Sequence, residues 1–106
     1  MWIFAQEGFF SIVQHQSDPD TLLVRARIKG DIEKYWPRAN TVETPDRDYG
    51  YRAHLPRREV AAVVTQMVLS VDYPNFKDSI DDRKRSGFYA QIWNILWDMQ
   101  RALKSA

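Results

Sequence analysis

Apolar and polar side chains alternate through the first half of the chain, and a helical period takes over after Pro56. Residues 2–15 are rich in aromatic and β-branched side chains, broken only at Glu7-Gly8, which predicts one strand with a bulge or bend. Ser17-Asp18-Pro19-Asp20 is a turn signal, and a second strand over 22–29 completes a hairpin. Here Leu22, Val24, Ala26 and Ile28 alternate with Leu23, Arg25, Arg27 and Lys29, so one face is apolar and the other basic.

Gly30-Asp31 opens a short helix through Trp36, with Asp31 placed to cap its free amides and Pro37 to stop it. Residues 40–44 and 48–55 read as two more strands joined through Pro45-Asp46-Arg47-Asp48, with Tyr51, Ala53 and Leu55 opposite in phase to Arg52 and His54. Val60, Val63, Val64, Met67, Val68 and Val71 then fall at helical spacing, predicting a helix over 57–71 despite the β-branched residues. Phe88, Ile92, Ile95, Leu96, Met99 and Leu103 predict a long amphipathic last helix, its apolar arc widened by Tyr89, Trp93 and Trp97.

The order ββαββαα predicts a single α+β domain over 1–106. Its expected architecture is a four-stranded antiparallel sheet with helices on one face, arranged as a permuted ferredoxin-like sandwich of strand order 1-2-4-3. That layout makes the second and fourth strands neighbours and puts Arg25 and Arg27 beside Arg52 and His54 on the open face.

Composition narrows the function. The 106 residues include four tryptophans and 44% hydrophobic side chains, enough for a core without staples. A net charge of +1 provides no whole-molecule attraction for nucleic acid or anionic membranes, so any anion site is local. The absence of cysteine removes thiolate metal sites, disulfides and cysteine nucleophiles. No apolar run reaches the roughly 20 residues of a membrane span, and the apolar start is too short for a signal peptide. The expectation is a cytoplasmic protein without a membrane partner.

Four constellations can carry chemistry. The first is the basic face of Arg25, Arg27, Arg52 and His54, where guanidiniums on a rigid sheet can hold phosphates. The alternative is a solvated or dimer-forming face, with Glu43 pairing the arginines. RNA-binding sheets add exposed rings, and only Tyr49 and Phe9 offer them here.

The second is the connector Asp72–Ser79, in which Asn75 and Lys77 could touch a small polar ligand beside Tyr73 and Phe76. The structural alternative has Pro74 ending one helix, Asp78 or Ser79 capping the next, and the two rings plugging the gap. The third, Asp78, Asp81 and Asp82, is a permissible magnesium set for a phosphoesterase or nuclease, and equally a helix start. The fourth is an interface on the last helix through Trp93 and Trp97, with Tyr73 and Phe76 as further partner contacts, which would suit a protein-protein inhibitor or adaptor; the alternative is a large core in which the tryptophans pack under the first hairpin beside Trp2 and Phe4. His15 and His54 have no metal-ligand spacing, and glycine loops and nucleophile elbows are missing. The reading is of a binding protein without catalytic residues, resident metal or cofactor. Its expected partners are a phosphate-bearing ligand or an acidic host-protein surface, with homodimerisation as a further expectation.

Trp2-Ile3-Phe4, Gly8-Phe9-Phe10-Ser11-Ile12-Val13, Leu23-Val24-Arg25-Ala26-Arg27 and the connector Asp72-Tyr73-Pro74-Asn75-Phe76-Lys77-Asp78-Ser79 also carry a likeness. Across nearly its whole length the chain resembles a family of small bacterial and phage-borne proteins without an assigned function. The resemblance implies a compact intracellular protein from a phage or mobile element. In that setting it would bind a host defence component or sequester a signalling nucleotide. It carries no catalytic residue across.

Overall fold

Glu7 does not bulge a strand; it helps to turn the chain round. In the computed structural model, which describes residues 1–104, β1 (Trp2–Ala5) and β2 (Gly8–Gln14) form an antiparallel hairpin with Phe4 opposite Phe9. β3 (Thr21–Ala26), β4 (Val42–Glu43) and β5 (Tyr51–Pro56) complete the sheet in the order β1-β2-β3-β5-β4. The fold is α+β with an antiparallel sheet as expected, but the sheet has five strands and not four. The extra strand comes from Gln6-Glu7, where two polar residues form a tight turn instead of being absorbed into a ladder.

Two compact units divide the chain, Met1–Asp72 and the stretch from Tyr73 onward. In the first, the even residues of β2 and β3 and the odd residues of β5 face the core. Phe10, Ile12, Val24, Ala26, Ala53 and Leu55 are all buried there. α1 (Asp31–Tyr35) adds Ile32 and the following Trp36, while α2 (Arg57–Leu69) adds Val60. Phe10 meets Trp36 edge to face at 5.3 Å and Tyr35 at 5.4 Å, so one fully buried ring joins the sheet to α1.

Several boundaries move for local reasons. β3 stops at Ala26, and Ile28, expected on the apolar face, lies beyond the strand and is exposed. Gly30, with φ of 91°, takes the helix N-cap position in a conformation that costs glycine little. Asp31 is therefore not the cap; it is buried in the first turn, with Lys34 Nζ 3.8 Å from its carboxylate. β5 runs into α2 at Pro56, and Arg57 fastens the junction. Its amide donates to Asp20 O at 2.7 Å, its Nε to Pro19 O at 2.9 Å and its Nη2 to Gln14 Oε1 at 2.9 Å. α2 ends at Leu69, and Val68, Leu69 and Val71 stay exposed while Val63, Val64 and Met67 pack on the core.

In the second unit, a 3-10 turn over Lys77–Ser79 precedes α3 (Arg83–Lys104). Asp82 caps α3: its Oδ1 accepts the amides of Lys84 at 2.9 Å and Arg85 at 3.1 Å. Asp78 and Ser79, the caps expected from sequence, sit within the 3-10 turn, where Ser79 Oγ donates to Phe76 O at 2.6 Å.

Candidate anion-binding face

Antiparallel pairing sets Ser11 opposite Arg25 and Arg25 opposite Arg52. Odd residues of β3 and even residues of β5 point away from the helix-covered core, so both guanidiniums belong to the other face. Arg25 Nη2 donates to the buried Ser11 Oγ at 2.7 Å. Arg52 Nη2 lies 3.4 Å from Asp48 Oδ1, and Arg27 Nη1 donates to Asp48 O at 2.8 Å. Glu43, considered from sequence as the arginines' counter-charge, instead accepts from Tyr51 Oη at 3.4 Å.

Tyr49 is the hub of the cluster. Its ring is buried, with the Arg25 and Arg27 guanidinium carbons 4.7 and 4.2 Å from its centroid. The loop that delivers it is closed by Thr44, whose amide donates to Gly50 O and whose hydroxyl donates to Tyr49 O, both at 2.7 Å. Tyr49 thus orders the arginines from beneath and offers no exposed stacking surface, contrary to the sequence expectation.

Electrostatically the cluster is unbalanced. Of the three arginines, Arg52 alone forms an ion pair among the described residues, with Asp48, itself 67% exposed, whereas the Arg52 side chain is only 15% exposed. Like charges directly opposite on a sheet repel. Moreover, Arg25 Nε and Arg52 Nε are buried without a hydrogen-bond acceptor. Such a donor costs about 1–3 kcal/mol when left unmade.

His54 stands opposite Leu23 at the far end of the face, its ring 4.9 Å from that of His15. His15 Nδ1 accepts the amides of Ser17 and Asp18, each at 3.1 Å, which shapes the β2–β3 turn. In the same turn, hydrogen bonds from Thr21 Oγ1 and the Asp20 amide hold the Asp18 carboxyl below its usual value.

The structure also adds Trp2 and Phe4, which the sequence left off this face, to Phe9, which it placed there. Phe4 and Phe9 stack at 4.5 Å, and Trp2 meets Phe9 edge to face at 5.7 Å. Since Trp2 pairs with Ser11, the cross-strand row runs Trp2, Ser11, Arg25, Arg52 and Val42. The missed signal was the Glu7 turn, which puts the even positions of β1 in phase with the odd positions of β2.

Asn75 and Lys77 belong to the second unit, and each has a local task. Asn75 Oδ1 accepts the Asp78 amide at 3.3 Å, and Lys77 Nζ lies 5.5 Å from the Trp93 ring centroid. Phe76 stacks on Tyr89 at 5.7 Å with Tyr73 5.8 Å beyond, and Trp93 and Trp97 lie parallel at 6.0 Å, both exposed. Among the described residues no three His, Asp or Glu side chains cluster as metal ligands. Nor is any helix among them long and apolar enough to cross a membrane. Comparison with protein-family models, curated proteins and solved structures returned no match.

Proposed function

We propose that this protein is a non-enzymatic binding module that holds a phosphate-bearing ligand on the sheet face formed by Arg25, Arg27 and Arg52. The observation carrying this reading is the cross-strand placement of Arg25 against Arg52, with the exposed Asp48 carboxylate paired to Arg52 and, among the described residues, two buried Nε–H donors lacking acceptors. An anion drawn to the pair relieves the repulsion, and small torsional shifts let its oxygens accept from both guanidiniums. The neighbour order β2-β3-β5-β4 supports treating the sheet as a permuted ferredoxin-like sandwich extended by β1. In a phage or mobile-element setting, such a face would sequester a nucleotide of host defence.

The test is calorimetric titration with inorganic pyrophosphate and nucleotides against the wild type and an Arg25→Ala, Arg52→Ala double variant, with circular dichroism to establish folding. Binding by the wild type that falls at least tenfold in a folded double variant supports the reading. Unchanged binding in the double variant ends it.

A second reading rests on α3, where Phe88, Trp93, Ile95, Leu96, Trp97, Met99 and Leu103 are all exposed. Phe88, Ile92, Ile95 and Met99 follow the four-three-four spacing of a coiled-coil seam. In an antiparallel pair of α3 helices, Phe88 would meet Met99 and Ile92 would meet Ile95. Asp81 and Asp82 would approach Arg101 and Lys104 of the other copy. That self-complementarity favours a second copy of this chain as the occupant.

A further inference from the structure

We infer that the phosphate-bearing ligand is single-stranded nucleic acid, with bases stacked on Trp2 and Phe9 and the backbone crossing Arg25 and Arg52. The inference rests on the proposed anion-binding role of those arginines and adds the aromatic half of the face. Trp2, 67% exposed, and the half-buried Phe4 and Phe9 form a ring cluster on β1 and β2, outside the packed core. A sheet face that is merely solvated places polar side chains there. Three adjoining rings instead make a platform beside a basic strip.

The width of the row suits a strand. Neighbouring strands lie about 4.8 Å apart, so the backbones at Trp2 and Arg52, three strand steps apart in one row, are separated by roughly 14 Å. Contact with Trp2 and with both arginines at once therefore suits a ligand longer than one nucleotide. A chain crossing the sheet places a base on the rings and successive phosphates on Arg25 and Arg52. A duplex hides its base faces within its own stack, whereas a single strand offers them to aromatic side chains. With Arg25 and Arg52 engaged by phosphates and Ser11 buried and occupied by Arg25, the row keeps no side chain for base edges, so the expected binding tolerates sequence.

The experiment measures fluorescence anisotropy of short labelled oligouridylate and oligothymidylate, single-stranded and annealed, beside calorimetry with inorganic pyrophosphate. The proteins are the wild type, Trp2→Ala, Trp2→Phe and the Arg25→Ala, Arg52→Ala double variant. Trp2→Ala should weaken oligonucleotide binding about tenfold or more, as loss of one stacked base does, while leaving pyrophosphate binding unchanged. Trp2→Phe should recover much of the loss, which a role in folding alone would not require, and duplexes should bind more weakly than single strands. Comparable affinity for the two oligonucleotides fits backbone-and-stacking recognition, and a preference for oligouridylate assigns the strand as RNA. Oligonucleotide affinity indifferent to Trp2→Ala, or pyrophosphate binding without oligonucleotide binding, overturns the inference and leaves the arginine site standing. Failure of both ligands to bind the wild type removes both.

Discussion

A single methyl group tests how closely β2 approaches α1. A Cβ added at Gly8 would lie 2.6 Å from the Phe10 ring and 3.4 Å from Asp31 Cβ. Because Phe10 is fully buried against Tyr35 and Trp36, its ring has little room to yield. Gly8→Ala should therefore lose about 1–3 kcal/mol in denaturant titration, the range for overpacking. Asp18 offers a pH test. Its carboxyl is lowered by bonds that favour the charged form, so the stabilisation is present above the unfolded-state value and disappears as pH falls through the lower folded-state value. Asp18→Asn should flatten that acid limb of the Tm-against-pH curve and slightly lower Tm at neutral pH. The basic face was legible at this scale because Arg25, Arg27 and Arg52 alternate with apolar neighbours. The burial of Tyr49 was not, because a ring beside a turn can point either way, and only the loop closure by Thr44 brings it under the guanidiniums.

Elements depend on how their ends are satisfied. α3 begins with no acidic residue in its first turn and with Arg83, Lys84 and Arg85 there, the unfavourable sign for a helix N-terminus. Asp82 offsets this by accepting two amides from just outside. Asp82→Ala should cost roughly 1 kcal/mol of stability, as loss of an N-cap does, and reduce helicity by circular dichroism. Asp81→Ala should have the smaller effect. α2 and α3 were readable from period alone, since each repeats its apolar positions at helical spacing. The first hairpin was not: Phe9-Phe10 continues the apolar character of Trp2-Ile3-Phe4, so composition hides the reversal at Gln6-Glu7. That single turn decides whether Trp2 and Phe4 share a face with Arg25, and so whether aromatic rings stand beside the basic residues.

At the scale of the whole molecule, near-zero net charge and a concentrated basic face work together. With 15 basic and 14 acidic residues overall, the attraction for an anion must come from the local cluster and not from a long-range field. Affinity for a phosphate-bearing strand should still fall as salt rises, but with a shallow slope set by the few phosphates neutralised. Self-association through α3 should respond in the opposite sense, because burying the Phe88, Ile92, Ile95 and Met99 seam removes apolar area from water and is favoured by excluded salts such as sulfate. Ile95 is 65% exposed, so Ile95→Glu removes little packing from an isolated chain and leaves the monomer's stability nearly unchanged. In an antiparallel pair, the same substitution would place two uncompensated carboxylates in the apolar seam, one from each copy against the other's Ile92. Sedimentation equilibrium should accordingly find a dimer for the wild type and a folded monomer for Ile95→Glu. A monomeric wild type at high micromolar concentration, or an unaltered dimer in the variant, would exclude α3 as the dimer interface.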